Sequence, residues 1–260
     1  MGSSVRVDHR SGGVGLITLD RAERLNTITS ALAAELVNAV KALEDDSSVG
    51  ALVVAGDGKA FCAGADITEL DSLDGPHDFS NFVAGVTAAL DALAACPKPS
   101  VAALHGVAFG GGLELALACD LRVADETARL GVPEIKLGLL PGATGTARLP
   151  RMLPKAIAKQ LLLTGDPLSA GDAYRLGLVN EVVTTGTALE AAIALATKLA
   201  ALPPLALAAA KRLVDEGAAM PLSGAIAFER QTVSLLFASE DRVEGVRAFL
   251  EKRPARFKGR

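Results

Sequence analysis

Aromatic side chains are scarce in this 260-residue chain, which carries eight Phe, one Tyr and no Trp. It therefore lacks the stacking platforms on which single-stranded nucleic acid is held. A formal net charge of −4 also withholds the basic footprint of a nucleic-acid binder. Cysteine is equally sparse. Cys62, Cys96 and Cys119 are odd in number, widely spaced and without a CxxC pair. That usage fits reduced thiols in a cytosol, not a disulfide framework. His9, His77 and His105 are scattered, and no metal-ligand spacing occurs. Long apolar runs are missing too. The longest stretch free of Asp, Glu, Lys and Arg, from Pro99 to Leu113, is interrupted by a His and several Gly and is too short to cross a membrane. MGSSVRVDHR at the start has no apolar h-region, so the expectation is a cytoplasmic protein that is not secreted.

What is present is a globular balance, 50% hydrophobic and 22% charged, in a chain long enough to bury a substantial core. Val5 to His9 and Val14 to Leu19, around Ser11-Gly12-Gly13, predict a β-hairpin. Thr29 or Ser30 caps a helix with apolar positions Leu32, Leu36, Ala39, Val40 and Leu43 at helical spacing. Strands are expected over 51–55, 100–107, 121–125 and 179–183. Helices are expected over 79–95, from 113, over about 146–163, and before Gly177, the last capped by Ser169. Alternation of strand and helix predicts an α/β fold with largely parallel pairing. From Ala188 onward only helical patterns remain. The division read from this is an α/β core over 1–195 and a helical region over 196–260.

Two glycine-rich loops stand out. FGGGLE lacks the GxGxxG spacing of a dinucleotide site, and GxxxxGK[ST] is absent. Gly110-Gly111-Gly112 does place approachable backbone at the start of a helix, whose first N–H groups have no intrahelical acceptor. Such groups suit an oxygen that acquires negative charge, although close packing of helix on strand is the favoured explanation of the glycines taken alone. FCAGAD, after another strand, is the second loop with small residues and an accessible backbone. Its Cys62 reads better as a buried thiol than as a nucleophile, since no His–Asp neighbourhood accompanies it. Glu114 and Glu134 both lie among apolar residues, and two such carboxylates suit acid and base work. Spacing leaves open whether they meet, and Lys136 is an equally good ion-pair partner for either. His105 fits a hydrogen-bonded core residue. The tail KRPARFKGR, with five basic and no acidic residues, reads as a solvated end or a phosphate contact.

FCAGADITEL, VAALHGVAFGGGLELALACDLRVA and LGVPEIKLGLLPGATG, in that order, together with the ending EDRVEGVRAFLEKRPARFKGR, resemble the enoyl-CoA hydratase/isomerase (crotonase) superfamily. The resemblance covers essentially the whole chain. It implies a spiral of repeated ββα units with C-terminal helices that build a homotrimer or a hexamer (a dimer of trimers). It also implies an acyl-CoA thioester substrate and no cofactor, coenzyme A being part of that substrate. The oxyanion-hole donors map to the backbone N–H of Ala65 and Gly111. Ala63, Ala65, Asp66, Ile67 and Thr68 match the segment that runs along the CoA adenine and pantetheine, and Arg24 and Leu25 match the part near its phosphates.

Glu114 and Glu134 match the two glutamates of the hydratases, Glu114 as general base and Glu134 as the donor of a proton to C2. The implied reaction is hydration of a 2-trans-enoyl-CoA to a 3-hydroxyacyl-CoA. An isomerase using Glu134 alone, and a non-catalytic acyl-CoA-binding protein, are the alternatives. The chain departs from the family pattern at Thr144, where a Gly is usual, and at Ala147, where a Gln is usual, both near the acyl end in relatives. His105 and Val132 stand where Asn and Gln are found in some members.

Overall fold

Short apolar strands interleaved with helices that cover them set the architecture. The computed structural model describes residues 3–260, so Met1 and Gly2 of the opening segment lie outside it. β1 (Val5–Arg10) and β2 (Val14–Leu19) form the expected antiparallel hairpin. α1 (Ser30–Asp45) is capped by Thr29, whose hydroxyl accepts from Leu32 N, and its five expected apolar positions are all buried. β3 (Ala51–Gly56) returns parallel to β2. After the FCAGAD loop comes a single turn, α2 (Ile67–Asp71), which the sequence patterns did not signal. α3 (Pro76–Ala95) starts at Pro76 and not at Phe79, because proline is well suited to the first helical position.

The apolar run expected as one strand over 100–107 is two. β4 (Ser100–Leu104) stays in the main sheet, whereas β5 (Val107–Phe109) belongs to a second, smaller one. The chain turns at Gly106, where φ is +56° and an added Cβ would lie 2.1 Å from Lys59 O. α4 (Gly111–Ala118) is buried at every position. Its far end is held by the buried guanidinium of Arg122, which donates to the carbonyls of Ala116, Cys119 and Leu178. β6 (Leu121–Asp125) follows, then β7 (Arg129–Gly131), which pairs with β5 and with the two-residue β8 (Leu168–Ser169). Between them, α5 (Gly145–Met152) and α6 (Lys155–Thr164) replace the single helix expected over 146–163, the break falling at Leu153-Pro154. Ser169 caps α7 (Ala170–Arg175) as expected, and β9 (Glu181–Val183) closes the main sheet.

The main sheet has the order β1-β2-β3-β4-β6-β9 and is parallel beyond the first hairpin. One face packs against α1, α3 and α4 in a large apolar cluster. The other face, through Val14, Leu16, Val53 and Val123, packs against Ala192 and Ala196 of α8 (Ala188–Ala200). Position 195/196 thus falls inside a helix that covers the sheet. The last helices are α9 (Pro204–Gly217), α10 (Leu222–Phe237) and α11 (Glu240–Glu251). Neither α9 nor α10 buries a residue, and Leu222, Leu235 and Phe249 are 77%, 76% and 83% exposed. Among the described residues no single helix is long and apolar enough to cross a membrane.

Candidate active site

The two small-residue loops that stood apart in the sequence come together at the N-terminus of α4. Parallel pairing joins Cys62 to Ala108 and Ile28 to Ala65. Ile28 N donates to Gly64 O (2.8 Å) and Asp66 N donates to Ile28 O (2.9 Å). In such a ladder the intervening residue turns its own N–H to the opposite side, so Ala65 N–H points away from Ile28. Gly111 N, at the first position of α4, has no intrahelical acceptor. Among the described residues neither N–H donates to a backbone acceptor. A Cβ added to Gly111 would stand 3.8 Å from Ala65 N and 3.9 Å from Glu114 Oε2. That point marks where the two loops and a carboxylate converge. Gly110 makes the convergence feasible: its φ is +52°, and a Cβ there would lie 2.4 Å from Glu134 Oε1.

Glu114 lies in the first turn of α4 and is only 2% exposed. Its Oε1 accepts from three successive backbone N–H groups, Ala143 (3.0 Å), Thr144 (2.7 Å) and Gly145 (2.6 Å). These amides lead into α5 and cradle a negative charge as a helix N-terminus does. Burial nevertheless pushes the Glu114 pKa above its ordinary value, opposed by the three N–H bonds and by the nearby Arg148. With Oε1 held, Oε2 is left toward the convergence point. Glu134 sits in a tight turn, Pro133–Leu137. Its Oε2 is buried and has no hydrogen-bond partner among the described residues. Burial, reinforced by the charge of Glu114, pushes its pKa up to about 7. The pair is therefore placed for proton transfer at neutral pH.

A cavity of about 60 Å³ opens between these groups. Ala65, Gly111 and both glutamates line one side, and Phe79, Phe82, Val83 and Val86 of α3 line the other. Leu139 and the largely exposed Leu140 form its rim. Among the described residues the two carboxylates are its only charged side chains. A much larger groove, about 1070 Å³, lies between α9–α10 and α3–α5, and neither glutamate lines it.

Of the other residues singled out in the sequence, Ala63 N donates to Leu25 O (3.0 Å), which ties the two segments together. Leu25 is 42% exposed and Arg24 beside it is exposed, as are Ile67 and Thr68 at the start of α2, just after Ala65. Asp66 differs from these. It is buried, and its carboxylate accepts from Arg21 (3.0 Å), the Thr27 hydroxyl (3.0 Å) and Thr68 N (3.1 Å). Those bonds hold its pKa below the ordinary value against the opposing effect of burial. Its side chain thus stiffens the loop from within, leaving main chain to face outward. Cys62 is buried, and burial pushes its thiol up to about 12, which leaves it inert at neutral pH. His105 is half-buried with Nε2 3.2 Å from Gly58 O. Lys136 pairs with Asp166 and with neither glutamate. In the tail, Arg253 pairs with Glu244 and Glu251, and Arg260 pairs with Glu240.

The sequence reading missed the 143–145 cradle and the α3 lining. Only the helical spacing of Phe79, Phe82, Val83 and Val86 carried a signal, and it is the spacing of any core-facing helix. Arg21 and Thr27 gave no pattern linking them to Asp66.

Known proteins are similar to this chain in sequence and fold over nearly its whole length. A sequence model of the enoyl-CoA hydratase/isomerase family matches residues 9–260. A probable enoyl-CoA hydratase of Rhizobium meliloti is 44% identical over 96% of both chains. The 2,3-dehydroadipyl-CoA hydratase of Escherichia coli is 42% identical over 96% of this chain and 97% of its own. The crystal structure of an enoyl-CoA hydratase from Bacillus anthracis superposes with a TM-score of 0.95 at 36% identity, covering 99% of this chain and all of that one. In sequence and in its crotonase fold, the chain is an enzyme of the enoyl-CoA hydratase/isomerase family.

Proposed function

We propose that the enzyme hydrates a 2-trans-enoyl-CoA to a 3-hydroxyacyl-CoA. The observation that carries this reading is the placement of two buried carboxylates beside two backbone N–H groups that, among the described residues, have no backbone acceptor. A thioester oxygen seated between Ala65 N–H and Gly111 N–H receives two donors fixed by ladder and helix, so no reorganisation is needed when charge develops on it. Glu114 Oε2 takes a proton from water as the water oxygen bonds to C3. The C2=C3 electrons move toward the thioester, and the resulting enolate oxygen is held by the two N–H groups. Glu134, protonated, delivers its proton to C2, and the thioester carbonyl re-forms. The proton on Glu114 then returns to Glu134 directly or through water, so the balance is one water added. No cofactor is needed beyond the CoA of the substrate, which would lie along Arg24, Leu25 and the 63–68 segment.

The acyl tail is proposed to be uncharged and aliphatic, because the cavity beyond C3 is lined by α3 side chains and offers no cation. Exposed apolar faces on α9 to α11 support assembly into a trimer or a hexamer, which light scattering distinguishes. The absence of a long apolar helix among the described residues is compatible with the proposed cytoplasmic location. The decisive experiment follows the conjugated-thioester absorbance of crotonoyl-CoA. Its loss, with 3-hydroxybutyryl-CoA as product, is expected. A stable absorbance together with conversion of a 3-enoyl-CoA would make the enzyme an isomerase. Binding of CoA esters without turnover would make it a binding protein.

A further inference from the structure

We propose that Arg148, acting through the Thr144 hydroxyl, is the positioning residue that holds Glu114 for base catalysis; this rests on the hydratase reading. The three amides that fix Glu114 Oε1 belong to a short loop, so the loop must itself be held. Two side-chain anchors hold it, and both lead to α3. The Thr87 hydroxyl donates to Ala143 O (3.3 Å). Arg148 Nε donates to Thr144 Oγ1 (3.1 Å), while its outer nitrogen lies 3.6 Å from Asp91 Oδ1, one helical turn beyond Thr87. Among the described residues the Thr144 hydroxyl has no other partner. The Thr144 hydroxyl, as acceptor, gives the guanidinium its grip on the cradle, which the glycine usual at this position could not.

Arg148 lies one turn into α5 and is itself tethered by its backbone N–H to Thr144 O (2.8 Å), so its fork spans a fixed distance. Its side chain is 24% exposed, so its charge is partly shielded from water. The charged groups facing Glu114 are Glu134, which opposes ionisation, and Arg148, which favours it. Arg148 in turn faces Asp91 and Asp215. The relay from Asp91 to Arg148 to Thr144 to Glu114 therefore does two things. It fixes the carboxylate so that Oε2 meets the attacking water, and it keeps that carboxylate ionised within a buried site.

Crotonoyl-CoA hydration by the full-length wild-type enzyme and by Arg148→Gln, Arg148→Lys, Thr144→Val and Thr144→Ser separates these effects. Thr144→Val removes the hydroxyl and retains the charge. It is expected to lower kcat by about tenfold or more with KM little changed, because displacement of a catalytic group by a fraction of an ångström is felt in the chemical step. Thr144→Ser restores kcat. Arg148→Gln lowers kcat similarly and moves the acidic limb of the kcat–pH profile upward, since Glu114 loses its cation. Arg148→Lys keeps the limb in place while kcat stays low. Wild-type kcat in Thr144→Val, or losses confined to KM, overturns the proposal. So does an unmoved limb in folded Arg148→Gln. If Arg148→Gln does not fold, Thr144→Val decides alone. An inactive wild-type enzyme would overturn the hydratase reading itself, before any variant is compared.

Discussion

Glu134→Gln is expected to abolish most activity while making the folded protein more stable at alkaline pH. Glu134 Oε2 is buried without a partner, and its pKa is pushed from the ordinary 4.5 to about 7. The folded-state value lies above the unfolded one, so wild-type stability is highest below pH 4.5. It falls as the pH rises through 7, where the folded state must ionise a carboxylate in apolar surroundings beside Glu114. At about 1.4 kcal/mol per unit the full shift corresponds to roughly 3 kcal/mol, and discounting for the partly solvent-facing side chain leaves about 1–2 kcal/mol. Glutamine does not titrate and avoids that penalty. Urea unfolding of both proteins at one concentration should give equal midpoints near pH 4 and a higher midpoint for Glu134→Gln at pH 8. Hydration by the same preparation should fall about a hundredfold or more, the usual range for a lost general acid. Equal midpoints at pH 8 would mean that the carboxylate is solvated or paired. Undiminished turnover would remove Glu134 from the reaction.

Gly111→Ala places a methyl group at the convergence point, 3.2 Å from Ile28 Cδ1 and 3.9 Å from Glu114 Oε2. It should cut kcat/KM by about a hundredfold or more, comparable to loss of an oxyanion donor, with little change in the melting temperature. A C6 enoyl-CoA should be preferred over its ω-carboxylate counterpart by about a hundredfold, since a carboxylate would be desolvated beside two others. Leu140→Arg, at the exposed rim, should narrow that gap, and equal kcat/KM for both esters in the wild type would refute the uncharged-tail reading. The kcat/KM for hydration should fall as the pH rises through about 7, when Glu134 loses its proton. A flat profile to pH 9 would contradict the acid role.

Local signals carried the reading as far as they are local. The α1 apolar positions, the Ser169 cap and the first hairpin depend on neighbours within a few residues, and all three appear as expected. The run over 100–107 failed because its strand character is continuous while its sheet changes at Gly106, and no pattern in the run encodes which sheet it joins. β7 is only three residues long and is a strand only because β5 and β8 flank it. Pro154 lies inside the stretch expected as one helix, and the break between α5 and α6 falls there, while apolar residues continue on both sides of it.

Scarcity of aromatics, glycine at two loops, and two glutamates in apolar company determined which chemistry was available: backbone N–H groups within reach of a ligand, and carboxylates set to titrate abnormally. Those are properties of residue type and immediate neighbours. Tertiary structure alone decided that the FCAGAD loop and the start of α4 share one point. It also decided that Glu114 is gripped by amides about thirty residues further along the chain, and that Asp66 turns inward to Arg21. The reason is physical. A hydrogen bond or a buried charge depends on distance in space, and that distance is set by how the parallel strands stack, not by spacing along the chain.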